Sequence, residues 1–139
     1  MARERWAGLY AYNQSDAQEI GISMERLELW DNAADGPGAD ADAVTSYSLS
    51  VKQPGTYFID FVASVDGPNS SSFVFEVYKN GASIGLGAEV VQPSAHHTQQ
   101  VSIIGAYALK SSDVLSIYVR ADAERLLTLR YGQFGIMSM

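Results

Sequence analysis

Over residues 51–139, apolar and polar positions mostly alternate with a period of two. In residues 56–65, Tyr57, Ile59, Phe61, Ala63 and Val65 share one parity, and Phe58, Asp60, Val62 and Ser64 share the other. Further along, Val101, Ile103, Tyr107 and Leu109 alternate with Ser102, Ala106 and Lys110, and Leu115, Ile117 and Val119 oppose Ser116, Tyr118 and Arg120. In residues 126–134, Leu127, Leu129 and Tyr131 oppose Thr128, Arg130 and Gly132. A strand resting one face on a core requires this pattern, because successive side chains point to opposite faces. The enrichment in Val, Ile, Tyr, Phe and Thr agrees.

Helical periodicity is weak. Its best candidate, residues 16–30, is interrupted by Gly21, and Ile20, Ile22 and Met24 followed by Leu27 and Leu29 read better as a strand with a bulge near Glu25. The turn signals also belong to β structure. Asn80-Gly81, between two alternating runs, predicts a type I′ hairpin. Gln53-Pro54-Gly55-Thr56 predicts a type II turn with Gly55 at positive φ. Residues 65–72, 91–100 and 110–113 are further breaks, and the acidic, Gly/Pro-bearing residues 31–43 read as a mobile surface loop. Strands at this spacing, some with long connections, predict an all-β sandwich or Greek-key barrel. No linker divides the chain, so residues 1–139 are expected to form a single domain.

Charge and composition narrow the classes of function. Nine basic against sixteen acidic residues give a net charge of −7, concentrated in residues 1–50, which hold Arg3, Arg5 and Arg26 against nine carboxylates. With no basic stripe, neither nucleic acid nor an anionic membrane is an expected partner. The chain has no cysteine, which excludes thiol nucleophiles, thiolate metal sites and disulfides. No apolar run is long enough for a signal peptide or a membrane span, so the expectation is a soluble protein made in a cytoplasm.

Candidate sites for chemistry are few. Asp31, Asp35, Gly36 and Asp42 match positions 1, 5, 6 and 12 of a calcium loop, but Ala33 stands at position 3, and a solvated acidic loop is preferred. His96 and His97 are adjacent, so on an extended chain they point apart and do not converge on one ion within a subunit. There is no nucleophile elbow and no recognisable carboxylate pair, so no catalytic residue, metal or cofactor is assigned. Asp60, inside an apolar strand, is expected either on the outer sheet face or buried with a partner such as Arg130 or Lys79, and a structural ion pair is preferred to a functional acid. Aromatic residues on both parities, Phe58 against Tyr57 and Phe61, and Tyr78 against Phe73 and Phe75, call for a second surface covering one sheet.

Four stretches in order carry a family resemblance. Residues 51–67 (VKQPGTYFIDFVASVDG) resemble the aromatic strand after a Pro-Gly turn in TNF-like jelly rolls, the fold of tumour necrosis factors and complement globular heads. Residues 75–85 (FEVYKNGASIG) resemble the next hairpin. Residues 101–122 (VSIIGAYALKSSDVLSIYVRAD) resemble the following strand pair, with Ser112 where glycine is usual. Residues 127–139 (LTLRYGQFGIMSM) resemble the final strand. Residues 1–50 match only through an aromatic opening strand near Trp6 to Tyr12. The resemblance implies a single-domain jelly-roll β-sandwich that forms a homo-oligomer, a trimer or a dimer, with Phe58, Val62, Tyr78 and Tyr118 as contact residues.

The chain lacks a collagen-like stalk and cysteine, so the extracellular cytokine and complement roles are not carried over. Small stand-alone jelly rolls of this type resemble the capsid decoration (cement) proteins of tailed phages. The implied role is non-enzymatic: binding to the major capsid protein on the virion surface, with Arg3, Arg5 and Trp6 in a capsid-facing or adaptable N-terminal segment. The alternatives are a glycan- or receptor-binding fibre head using residues 31–43 and 91–100, and a cupin-like enzyme, for which two histidines in one loop are too few ligands.

Overall fold

The computed structural model describes residues 4–12, 16–93 and 98–139. They form strands β1 (Trp6–Tyr12), β2 (Ala17–Ile20), β3 (Glu25–Arg26), β4 (Asn32–Asp35), β5 (Ala39–Asp42) and β6 (Ser48–Val51), then β7 (Gly55–Asp66), β8 (Ser71–Lys79), β9 (Ala82–Gln92), β10 (Gln99–Leu109), β11 (Val114–Ala121) and β12 (Arg125–Ser138). No helix occurs among the described residues.

Two antiparallel sheets pack face to face as a β-sandwich. The first has the order β10-β7-β12-β1-β4, with β2 also pairing to β12; the second has β5-β6-β11-β8-β9, with β3 also pairing to β11. After β6 the chain crosses to the first sheet for β7, back for β8 and β9, and then alternates again for β10, β11 and β12. This winding places β1 beside β12, so the two ends of the chain close one sheet.

The alternation read from the sequence supplies the core. Tyr57, Ile59, Phe61, Ala63 and Val65 of β7 face Phe73, Phe75 and Val77 of β8 and Leu115, Ile117 and Val119 of β11, all at most 2% exposed. Phe61 and Phe75 meet across the layers with ring centroids 5.3 Å apart, and Trp30 and Phe61 form a T-shaped pair. Removing one such ring costs about 3–5 kcal/mol, because the lining collapses only in part.

Residues 16–30 are not one bulged strand. β2 pairs with β12 in the first sheet, β3 pairs with β11 in the second, and the chain bends between them. Ile20 and Leu27 are both fully buried, whereas Ile22 at the bend is 70% exposed. One straight strand cannot send side chains into the core from both layers, so the chain changes sheets. The bend is held by the Ala121 amide on the Gly21 carbonyl (2.8 Å) and by the Gly21 amide on Glu25 Oε2 (3.2 Å).

The expected mobile loop at residues 31–43 is instead a strand, a turn and a strand. β4 pairs with β1, Gly38 takes φ +80° in the turn, and β5 pairs with β6. Alanine and aspartate have low strand propensity, which hid these strands; here register is imposed by neighbours. The Pro54-Gly55 turn also departs from expectation. Gly55 lies outside the left-handed region and opens β7, and the corner is held by the Tyr57 hydroxyl donating to the Gln53 carbonyl at 2.7 Å. Asn80 and Gly81 take φ +52° and +86°, as a type I′ hairpin demands.

Tyr131 is the remaining departure. The β7–β12 ladder slips between Leu129 and Tyr131, leaving Arg130 as the extra residue of a bulge. The slip turns Tyr131 from the core parity to the outside, where it is 54% exposed, and lets Phe134 and Ile136 point inward.

Candidate interaction face on the first sheet

The outer face of the first sheet is built by β10, β7, β12 and β1 in register. Opposite the core residues of β7 lie Phe58, Asp60, Val62 and Ser64. Across β10 they are flanked by Ala106, Ile104, Ser102 and Gln100, and across β12 by Met137, Gly135, Gln133 and Tyr131. β1 then adds Trp6, Gly8, Tyr10 and Tyr12 beside those β12 residues.

β1 reverses the usual distribution of size. Its inward residues are Ala7, Leu9 and Ala11, while its rings point outward. Glycines let those rings lie down on the sheet. A Cβ on Gly8 would stand 2.6 Å from the Tyr10 hydroxyl, and one on Gly36 would collide with the Trp6 indole. Tyr10 and Tyr12 stack in parallel, with centroids 6.0 Å apart. Tyr10, Tyr12, Val62, Ser64, Tyr131 and Gln133 wall a shallow cleft of about 270 Å³.

Six of the eleven large apolar side chains exposed among the described residues lie on this face: Tyr12, Phe58, Val62, Ile104, Tyr131 and Met137. Exposed apolar side chains gathered on one sheet face make it a candidate contact surface.

Asp60 is the charged residue within this grid. Its carboxylate accepts from Gln133 Nε2 at 3.2 Å, and burial pushes its pKa above the ordinary carboxylate value. Tyr10 is raised as well, first by burial and then by Tyr12 and Asp60. Of the two placements expected for Asp60, the outer sheet face is the one found, and the ion pair does not form. Arg130 donates instead to Asp66, and Lys79 stands over the Tyr107 ring, 5.2 Å from its centroid. Asp60 and Glu76 lie on different sheets and make no carboxylate pair.

The four residues expected to form one contact surface are divided between two. Phe58 and Val62 belong to the outer face just described. Tyr78 and Tyr118 lie on the outer side of the second sheet, stacked on one another with centroids 4.0 Å apart and planes 8° from parallel. Their neighbours in the ladders are Glu76, Arg26 and Ser116, and the Arg26–Glu28 ion pair lies nearby. Tyr78, Tyr118, Glu76 and Arg26 are half-buried here and Ser116 is buried, so the face is lined by polar groups around the stacked pair.

Of the N-terminal residues, Arg3 lies outside the described residues. Trp6 opens β1, and Arg5 just before it is hydrogen-bonded to the end of β12 rather than lying in a free arm. The Arg5 amide donates to Ser138 Oγ at 2.9 Å, its guanidinium reaches the Pro54 carbonyl at 3.1 Å, and the Ser138 amide returns a bond to the Arg5 carbonyl.

The calcium-like stretch resolves into local structure. Asp42 accepts from the Thr45 side chain and from the Val44 and Thr45 amides, and the Thr45 bonds lead in holding its carboxyl far below the ordinary value. Asp35 accepts from the Ala41 amide. Among the described residues no three His, Asp or Glu side chains converge as metal ligands. His96 and His97 lie outside the described residues. Among the described residues no helix is long and apolar enough to cross a membrane.

Sequence reasoning placed Phe58 and Val62 on the outer parity but did not join Trp6 and Tyr10 to them, and it placed Tyr131 inward. The overlooked signal was β1 itself, WAGLYAY, whose bulky residues fall on one parity and whose small ones fall on the other. Against known proteins, no protein-family model matches the chain, and no curated protein is similar to it in sequence.

Proposed function

We propose that the protein is a non-enzymatic structural protein of a bacteriophage virion, a decoration protein that binds the major capsid protein on the outside of the shell and braces it. We read the sandwich as a TNF-like jelly roll. Supporting this is the strand order: β1-β12-β7-β10 on one side and β6-β11-β8-β9 on the other follow two interlocked Greek keys. The observation that carries the functional reading is the outer face of the first sheet, apolar and with one carboxylate in its grid, on a chain of net charge −7. Such a face is suited to a standing contact with a capsid subunit or another copy. Homo-oligomerisation would add multivalency, turning weak contacts with several capsid subunits into firm retention.

The test is to mix purified protein with undecorated shells. Saturable, stoichiometric uptake supports the reading, and its absence at micromolar concentration removes it. A second reading, a glycan- or receptor-binding head of a fibre, is favoured by the cleft of Tyr10, Tyr12 and Tyr131 with the Gln133 amide and Ser64 hydroxyl at its rim. Hits on a glycan array together with no shell uptake select it.

A further inference from the structure

A sheet edge is a row of unpaired backbone donors and acceptors, and proteins usually guard it with charge, proline, a bulge or shortness. The edges of this sandwich differ in this respect. At the far end of the first sheet β4 is four residues long and carries Asp35. In the second sheet β5 carries Asp40 and Asp42. β9 carries Glu89, and its ladder with β8 shifts register near Gly85, which takes φ +85°. The short β2 and β3 hold Glu19, and Glu25 with Arg26.

β10 has none of these guards. Its eleven residues, QQVSIIGAYAL, contain no charge and no proline. It pairs with β7 without interruption from Gln99↔Val65 to Leu109↔Gly55, and its other edge pairs with no strand among the described residues. Ile104 at its middle is 75% exposed. Behind the strand, Leu86 packs against Gly105 from the second sheet and keeps that part of β10 seated.

We propose that β10 is a docking edge for β10 of a second copy, joining two first sheets into one continuous antiparallel sheet. The occupant follows from charge and symmetry. For a chain of net charge −7, self-pairing is least opposed at an edge that carries no like charge, and β10 is the edge strand that meets this condition. A two-fold axis through Ile104 places Ile104 against its own copy, Ser102 against Ala106 and Val101 against Tyr107, with every residue opposite one of the same parity. An antiparallel pairing of this length makes about ten backbone hydrogen bonds. The axis stands perpendicular to the sheet, so both apolar outer faces lie on the same side and form one platform of twice the width. The proposal rests on the edge alone and stands whether or not the protein binds capsids.

The experiment measures mass by light scattering or sedimentation from about 1 to 100 μM. The wild type is expected to reach twice the chain mass, and Ile104→Lys combined with Ala106→Lys, at two exposed positions, is expected to stay at one chain mass while keeping the wild-type β spectrum. Val62→Lys, on the same face but one strand in from the edge, is expected to dimerise as the wild type does. Amide exchange at the high concentration should slow at alternate residues of Gln99–Leu109. A wild type of single-chain mass throughout, a dimer that survives the β10 double variant, or a dimer lost with Val62→Lys overturns the edge pairing. If the double variant does not fold, the exchange pattern of the wild type decides alone, and unchanged exchange in β10 between the two concentrations overturns it.

Discussion

Arg130 donates from Nε to the Asp66 carboxylate across 2.9 Å, and the pair sits at the register slip where β12 bulges against β7. The extra residue bends the strand and turns Tyr131 outward, and its guanidinium anchors the end of β7. Asp66 is nearly buried, with the Thr98 hydroxyl as a longer second donor at 3.4 Å. Arg130→Ala strips a buried carboxylate of its main partner. Because the arginine itself is half exposed, the expected cost is about 1–2 kcal/mol rather than the larger cost of breaking a fully buried pair. Urea unfolding should show the midpoint falling with an unchanged slope.

Asp60 gives stability a pH dependence of its own. Its pKa is raised in the folded protein by burial. The folded state therefore binds more protons than the unfolded chain between the ordinary carboxylate pKa, about 3.9, and the higher folded value. Stability from this group is greatest below that window and is lost as pH rises through it. Asp60→Asn keeps the shape and removes the charge. It should raise the melting midpoint near pH 7 and leave it almost unchanged near pH 3, relative to wild type, in thermal scans at the two pH values.

The turn between β10 and β11 is held in the opposite sense. Asp113 accepts from the Lys110 amide at 2.8 Å and from Asn80 Nδ2 at 2.9 Å, and Asn80 Oδ1 accepts from the Val114 amide at 2.9 Å, tying this turn to the β8–β9 hairpin. Burial works to raise the Asp113 pKa, but the bonds from Lys110 and Asn80 and the charges of Lys79 and Lys110 hold it below the ordinary value. Its contribution is present above the ordinary pKa and fades as pH falls through the lower folded value. Asp113→Ala should cost about 2–3 kcal/mol at neutral pH, with the gap to wild type narrowing under acid.

In the same turn Ser112 takes φ +76°. A left-handed backbone costs a residue with a Cβ roughly 1–2 kcal/mol, against about 0.5–1 kcal/mol of extra chain entropy for glycine. Ser112→Gly is expected to stabilise the protein by up to about 1 kcal/mol, read as a rise of a few degrees in the thermal midpoint.

Much of the fold was legible because period-two alternation is a direct imprint of a half-buried strand. The core parity of β7 and β11 and the Asn80-Gly81 turn were all readable from composition and spacing. β4 and β5 were not, since their alanines and aspartates have no strand preference and owe their register to β1 and β6. The Arg130 bulge was invisible as well: one added residue reverses every later parity, and nothing in Leu129-Arg130-Tyr131 announces it. The candidate face was legible only in part. Phe58 and Val62 stand out within one strand, but their union with Trp6, Tyr10 and Met137 depends on β1 and β12 pairing across nearly the whole chain. Tyr78 and Tyr118 looked equivalent to Phe58 by parity, and only the assignment of strands to sheets separates them.

The most direct measurement is side-chain footprinting with hydroxyl radicals on the free protein and on the protein bound to shells. The apolar outer face as the capsid contact predicts that Phe58, Tyr131 and Met137 lose reactivity on binding while Tyr78 and Tyr118 keep theirs. Protection of Tyr78 and Tyr118 with Phe58, Tyr131 and Met137 unchanged would contradict it.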